Sequence, residues 1–443
     1  TRKKIKFFAE VKGVGYRTYY IEEGKASSAN AASTDINTSE NSIENNTIKI
    51  IANIDGTVSY YNKSSKTKIQ NVLNILDEGN AGDSYDYSPP RKDNVIDSRN
   101  FESEIKIEKI NDFEAEMKIS KVMEVNKNTD DTERSNKMVA MKINMVIKIN
   151  TNSRYFDLDV SVDNQANNHR VSLYIPNFTT TMHFREGSFG DVKTSNVVDY
   201  QNTLDMGWKE LCYPIYPTQR YVYDIDSKLA VFNKGIQSYE IMKENDLKIH
   251  LLTTMDYMGK KDLLYRPGRR SGAKIYTPDS LLIGKHEFNF RFLLFDDKNE
   301  IYSTSDQFQT NLFGQYFHKP NSRGFMSDEL TAFSILNKSV STSALMKSQF
   351  EDGIIWRVKN MSNDVIDSVG LKYNSNLYEF DTEVNLLEEK RPNDRISEEM
   401  TADYIGEEYE GSGELFKTGK LTIHDLKPNE FINLKFKINK LSI

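Results

Sequence analysis

Carboxylates, phenols and small residues crowd into one stretch, Asn80-Ala81-Gly82-Asp83-Ser84-Tyr85-Asp86-Tyr87-Ser88-Pro89-Pro90. Asp83 and Asp86 can accept hydrogen bonds from sugar hydroxyls, and Tyr85 and Tyr87 can stack on a pyranose face. Gly82 admits backbone angles that other residues avoid, while Pro89 and Pro90 fix φ and cannot extend a sheet ladder. A surface turn uses the same residue types by default, so both readings stand on the residues alone. The segment Gly259 to Gly272 is the second candidate. Its Arg266 and Arg269 offer planar donors that suit a carboxylate or sugar hydroxyls, and its plain reading is a basic hairpin tip.

Other chemistries find less support. Hydrolysis of a glycoside needs two carboxyls held at a defined separation, and nothing in the sequence sets Asp83 and Asp86 that way. The six histidines, His169, His183, His250, His286, His318 and His424, are scattered. No His-x-His, His-x-x-x-His or Cys-x-x-Cys spacing occurs, so no local metal motif is expected and no catalytic residue is assigned within the chain. Ser412 in Gly411-Ser412-Gly413 lacks the strand–turn–helix setting of a nucleophile elbow.

With 443 residues the chain has room for about three domains of ~150 residues. The balance of 65 acidic against 58 basic residues, net −7, leaves no footprint for nucleic acid or an anionic membrane. The single cysteine, Cys212, cannot close an internal disulfide, which points to the cytoplasm, and it is expected as a small buried apolar residue. No apolar run approaches the ~20 residues of a membrane span. The chain opens directly on the strand-like Ile5-Lys6-Phe7-Phe8-Ala9-Glu10-Val11, as the C-terminal piece of a longer protein would.

The elements that must carry these loops are strands. Met141, Ile143, Met145, Ile147 and Ile149 recur at period two, as do Phe156, Leu158, Val160 and Val162. Phe288, Phe290 and Phe292 do the same, and so do Leu434, Phe436 and Ile438. Such alternation turns one face of an antiparallel sheet to a core and the other to water. The expected fold class is all-β, built as packed antiparallel sandwiches. Lys68 to Leu76 is the one fair helix candidate. Five segments are expected: 1–24 as the end of a truncated small β domain, 25–46 as a Ser/Asn-rich linker, 47–316 as a large sandwich, 317–328 as a second linker, and 329–443 as a smaller sandwich. Pro392 to Gly413, polar and without alternation, is expected to be a mobile loop.

These motifs carry a resemblance. Ile75 to Pro90 is similar to the Gly-Asp-Ala-Gly-Asp-x-Tyr-x-Tyr-Ser-Pro-Pro loop of bacterial α-mannosidases of glycoside hydrolase family 38, with Asn80 and Ser84 departing from its commonest form. Gly15-Tyr16-Arg17-Thr18-Tyr19, Asp55-Gly56-Thr57, Trp208-Lys209-Glu210, Pro217 to Val222 and Asn233 to Glu240 resemble further family segments. Ala344 to Lys347, Ile354 to Asn360 and Val384 to Glu389 resemble its terminal β domain. Gly259 to Gly272, with Thr277-Pro278-Asp279-Ser280, looks closest to the mannosylglycerate-hydrolase branch. The motifs stand in family order along almost the whole chain.

The resemblance implies a large galactose-mutarotase-like supersandwich flanked by smaller β-sandwiches. It also implies a zinc-dependent retaining enzyme acting on terminal α-mannosides. Zinc and the aspartate nucleophile belong to an N-terminal catalytic domain of the same polypeptide, which no segment here resembles. Asp83, Tyr85, Tyr87, Arg266 and Arg269 are then expected to line the substrate, with homo-oligomers possible and no catalytic activity in this chain alone. Leu251-Leu252-Thr253 stands where relatives commonly read Leu-Leu-Arg. The rival readings are a free-standing carbohydrate-binding sandwich and a purely structural scaffold.

Overall fold

In a computed structural model the chain is described at residues 5, 7–21, 35–196, 200–236, 238–242, 244–318, 327–403 and 416–439. Strand makes up 53% and helix 5%, far from the roughly one-third helix of an average soluble domain, so the all-β expectation holds. No helix among the described residues is long and apolar enough to cross a membrane. The chain divides into two compact units. One is 29–188 with 192–301, and the other is 1–28, 189–191 and 302–443.

The larger unit is a sandwich. Its nine-stranded antiparallel sheet contains the long strands Glu114–Asn126 and Met138–Asn150, buried at every second residue as their sequences require. Facing it in the same core is a six-stranded sheet whose central strands position the site. These are β1 (Asn74–Gly79), β2 (His169–Ile175), β3 (Ser238–Ile241) and β4 (Leu247–Thr253), with β2 between β1 and β4, and β3 on the far side of β4. Ile75, Val171, Leu173, Leu247 and Ile249 point into the core shared with Ile147, Phe156 and Phe290. Each such side chain contributes about 1.5–3 kcal/mol on burial, largely offset by the entropy of ordering the chain. A two-stranded hairpin, β5 (Lys261–Leu263) and β6 (Arg266–Arg270), follows β4.

The smaller unit is a second sandwich of a five-stranded and a four-stranded sheet. Trp356, Phe333, Leu371, Ile423 and Phe436 fill its core. Its four-stranded sheet places β7 (Tyr378–Val384) at an edge beside β8 (Phe431–Ile438).

Several expectations are revised. Val14–Arg17, expected at the end of a small β domain, pairs with Glu329–Ile335 as the edge of the smaller unit's five-stranded sheet. The second half of the supposed 25–46 linker forms strands Asn37–Thr38 and Ser42–Glu44, because Ile36 and Ile43 reach the large core; residues 22–34 lie outside the described set. Lys68 to Leu76 is not helical. A left-handed Leu73 separates strand Lys68–Val72, itself left-handed at Asn71, from β1. Within Pro392 to Gly413, Ile396–Asp403 is a strand paired with Phe416–Leu426, while 404–415 lie outside the described residues. Of the 317–328 linker, 319–326 also lie outside them. Cys212 is exposed, not buried.

Candidate functional site

The two candidate loops form one body. Asn80 is fully buried; its amide nitrogen donates to Thr254 O at 2.9 Å and its Oδ1 accepts from Gly82 N at 2.9 Å. Gly82 is obligatory, because a Cβ there would lie 2.1 Å from Asp86 O. Asp83 Oδ1 accepts from the backbone of Tyr85 (3.0 Å) and Asp86 (3.1 Å), folding the loop over the carboxylate. Its Oδ2 accepts from Lys260 N at 2.8 Å and from Arg266 Nη2. Arg266 Nη1 reaches Asp86 Oδ2, so one guanidinium ties the start of β6 to both acids. Leu264 N donates to Ser88 Oγ at 3.1 Å and Ser84 N to Met258 O at 3.3 Å, completing the seam.

Beneath this loop the outer face of the six-stranded sheet carries buried charge. Register places Arg170 opposite Glu78, and Lys248 opposite both Glu240 and Tyr174. Period two then brings Ser172 and His250 to the same face. Arg170 Nη2 donates to Glu78 Oε2 (3.0 Å) and Glu240 Oε2 (2.8 Å). Lys248 Nζ reaches Glu78 Oε1 at 2.9 Å and Glu240 Oε2 at 3.0 Å. Two cations thus share two carboxylates out of water, the condition under which buried charges are tolerated. Burial opposes ionisation of Glu240, but the His250 ring, Arg170 and Lys248 outweigh it and hold its carboxyl well below the usual range.

Burial, with Arg170 nearby, lowers His250 to about 4, so its ring is neutral near pH 7. His250 Nδ1 meets Ser238 Oγ at 2.8 Å, whereas Nε2 stands 3.6 Å from Glu240, beyond hydrogen-bond reach. That Nε2 and Arg170 Nη1 have no hydrogen-bond partner.

Aromatic rings lid the array. The Arg170 guanidinium carbon sits 3.6 Å from the centroid of Tyr87, a desolvated cation–π contact of about 2 kcal/mol. Tyr213 donates to Tyr87 O at 2.7 Å and packs on Tyr265 with centroids 4.4 Å apart. Burial pushes the Tyr87 and Tyr213 hydroxyls well above the usual phenol range, so both stay protonated.

The five residues singled out from sequence therefore separate. Asp83 and Arg266 are sealed in an ion pair and brace the loops. Tyr87 lids Arg170. Tyr85 is half exposed against Gly272, and Arg269 pairs at 3.1 Å with Glu210, both side chains reaching water. Only Tyr85 and Arg269 present large free surfaces. Sequence reasoning missed Glu78, Arg170, Glu240, Lys248 and His250. Their signal was charge at alternate positions of otherwise apolar strands, as in Lys248-Ile249-His250. On β1 the neighbouring Asp77 faces the core, where Arg134 and His169 accompany it.

Among the described residues no three His, Cys, Asp or Glu side chains stand close enough to hold a metal ion. Zinc does not fit the described residues of this chain.

Two solved structures share this fold. A protein in glycosyl hydrolase family 38 from Enterococcus faecalis superposes with a TM-score of 0.71 at 16% identity, covering 90% of this chain and 44% of its own. An alpha-mannosidase from Enterococcus faecalis V583 gives 0.72 at 16% identity, with 90% and 42% covered. The chain spans less than half the length of either. No family model and no curated protein matches the sequence.

Proposed function

We propose that this chain is the β-rich C-terminal part of a family 38 α-mannosidase, acting on terminal α-mannosides within a longer cytoplasmic polypeptide. Fold likeness over 90% of the chain to less than half of an alpha-mannosidase is the observation that carries the reading. The ordered family motifs support it. Catalytic carboxyls and zinc would come from an N-terminal domain of the same polypeptide, and this part would brace that domain and lend the Asn80–Pro90 loop to the rim of the sugar site. In that role Asp83 and Arg266 fix the loop, while Tyr85 and Arg269 face the substrate. The motif at Gly259 to Gly272 favours a mannosylglycerate-type glycoside.

The test is to read the frame upstream of Thr1, express the whole product and assay an aryl α-mannoside with zinc. Turnover by the whole product, absent from the 443-residue chain, is the expected result. A whole product that hydrolyses no α-mannoside would overturn the reading.

A further inference from the structure

A cavity of about 290 Å³ opens in the smaller sandwich where β7 ends and β8 begins. Glu383, Leu386, Arg391, Glu430, Phe431 and Asn433 are on its wall. Glu383 is 5% exposed, yet among the described residues its carboxylate accepts no hydrogen bond; the one ion-pair contact is Arg391 Nη1 at 3.9 Å. Glu430 is the contrast, held by Arg395 at 3.0 and 3.2 Å and by Lys427 N at 2.8 Å. Burial, outweighing Arg395 and Arg391, raises the Glu383 carboxyl above its ordinary value. Its oxygens are not sealed inside the sandwich but open to the cavity, so Glu383 is an acceptor that a molecule entering there would meet.

The chemistry of the wall selects the ligand. On the wall Glu383 and Glu430 stand with Arg391, and Arg395, which is not on the wall, already pairs with Glu430, so the cavity favours a molecule without net charge. Its volume, about 290 Å³, lies just under the roughly 300–1,000 Å³ range of small-molecule sites, which excludes a long oligomer from being enclosed. The Arg391 side chain is 58% exposed, leaving most of its donors free beside the acceptor. Phe431 and Leu386 add apolar surface. We propose that this cavity binds a monosaccharide unit, Glu383 accepting from neighbouring ring hydroxyls, Arg391 donating to another, and Phe431 and Leu386 covering an apolar ring face. The site lies in a different compact unit from the Asp83 loop and does not depend on the mannosidase reading.

The experiment is titration of the 443-residue chain with methyl α-D-mannopyranoside and methyl β-D-glucopyranoside, by saturation-transfer NMR and calorimetry. Saturable binding of at least one glycoside is expected. Glu383→Gln and Arg391→Ala should each weaken it at least about tenfold, the scale of one charge-assisted hydrogen bond, while Tyr85→Ala leaves it unchanged. Arg391 is exposed, so its variant reads the site without disturbing the core. Absence of saturable binding, binding undiminished in Arg391→Ala, or loss on Tyr85→Ala alone would each overturn the proposal. Turnover by the whole product bears on the mannosidase reading only, so the two can fail separately.

Discussion

Arg266 and Asp83 form an ion pair in which neither side chain reaches water, and it joins two loops about 180 residues apart in sequence. An aspartate that reads sugar hydroxyls could be replaced without harming the fold. This one could not. Removing one partner of a buried pair leaves an uncompensated charge and costs about 3–5 kcal/mol. Asp83→Ala and Arg266→Ala should each lower unfolding stability by that amount in urea titrations. Asp83→Leu combined with Arg266→Met should recover only part of it, because the N–H groups of Tyr85, Asp86 and Lys260 and the Asp86 carboxylate lose their partners in the double variant. A loss below about 1 kcal/mol in both single variants would remove the pair from the loops' support.

Acid should weaken the larger unit well before its carboxylates protonate. His183 and His250 are each lowered from 6.5 to about 4, chiefly by burial. Both folded values are depressed, so their contribution is complete above pH 6.5 and is lost as pH falls toward 4. Glu78 and Glu240, also depressed, add loss below the ordinary carboxylate range. The groups facing His250 are Ser238, Glu240, Arg170 and Lys248; Glu240 favours a protonated ring, but burial and the two cations outweigh it. Urea midpoints should therefore fall between pH 6.5 and 4.5, and His250→Gln should flatten part of that slope. A midpoint constant across this window would contradict the neutral, buried histidines.

Legibility in the sequence followed burial. Strands with one wet face, such as Met138–Asn150, alternate strictly and were readable residue by residue. β1 and β2 are buried on both faces, and their charges are neutralised by partners that come from other strands. No local pattern announces that Arg170 meets Glu78 and Glu240, because pairing register is set by the whole sheet. The same reason hid the partner of Val14–Arg17, over 300 residues away in sequence. Within the Asn80–Pro90 loop, residue types identified a special backbone, but not which acid faces inward. Arg266 decided that, and its hairpin context gave no hint of complete burial.

The two loop tyrosines should behave oppositely. Tyr87→Leu removes the ring over Arg170 and should cost about 2 kcal/mol of stability. Tyr85 is half exposed, so Tyr85→Ala should change stability by less than about 0.5 kcal/mol. In the whole product the same Tyr85→Ala change should lower kcat/KM on an aryl α-mannoside about tenfold, the loss of one stacking contact worth about 1.4 kcal/mol. Gly272→Ala is a check on its placement, since the added Cβ would stand 2.8 Å from the Tyr85 hydroxyl at a φ of +76°. It should displace Tyr85 and reproduce the kinetic loss. Wild-type kinetics in Tyr85→Ala would take the loop off the sugar site.

The 443-residue chain by itself should hydrolyse no α-mannoside, with or without added zinc. Glycoside hydrolysis needs an acid and a second carboxylate flanking the bond, about 5–9.5 Å apart and open to substrate. The paired acids of the candidate site do not meet that condition. Asp83 and Asp86 are both neutralised by Arg266, and Glu78 and Glu240 are held ionised by Arg170 and Lys248 under the Tyr87 ring. Glu78 and Glu240, held below the usual carboxylate range, are not free proton donors near neutral pH, and general acid catalysis requires one. The check is a prolonged incubation of pure chain with an aryl α-mannoside, followed by variants if any signal appears. Turnover abolished by Glu78→Gln or Glu240→Gln would place the active centre on this sheet and overturn the division of labour proposed above.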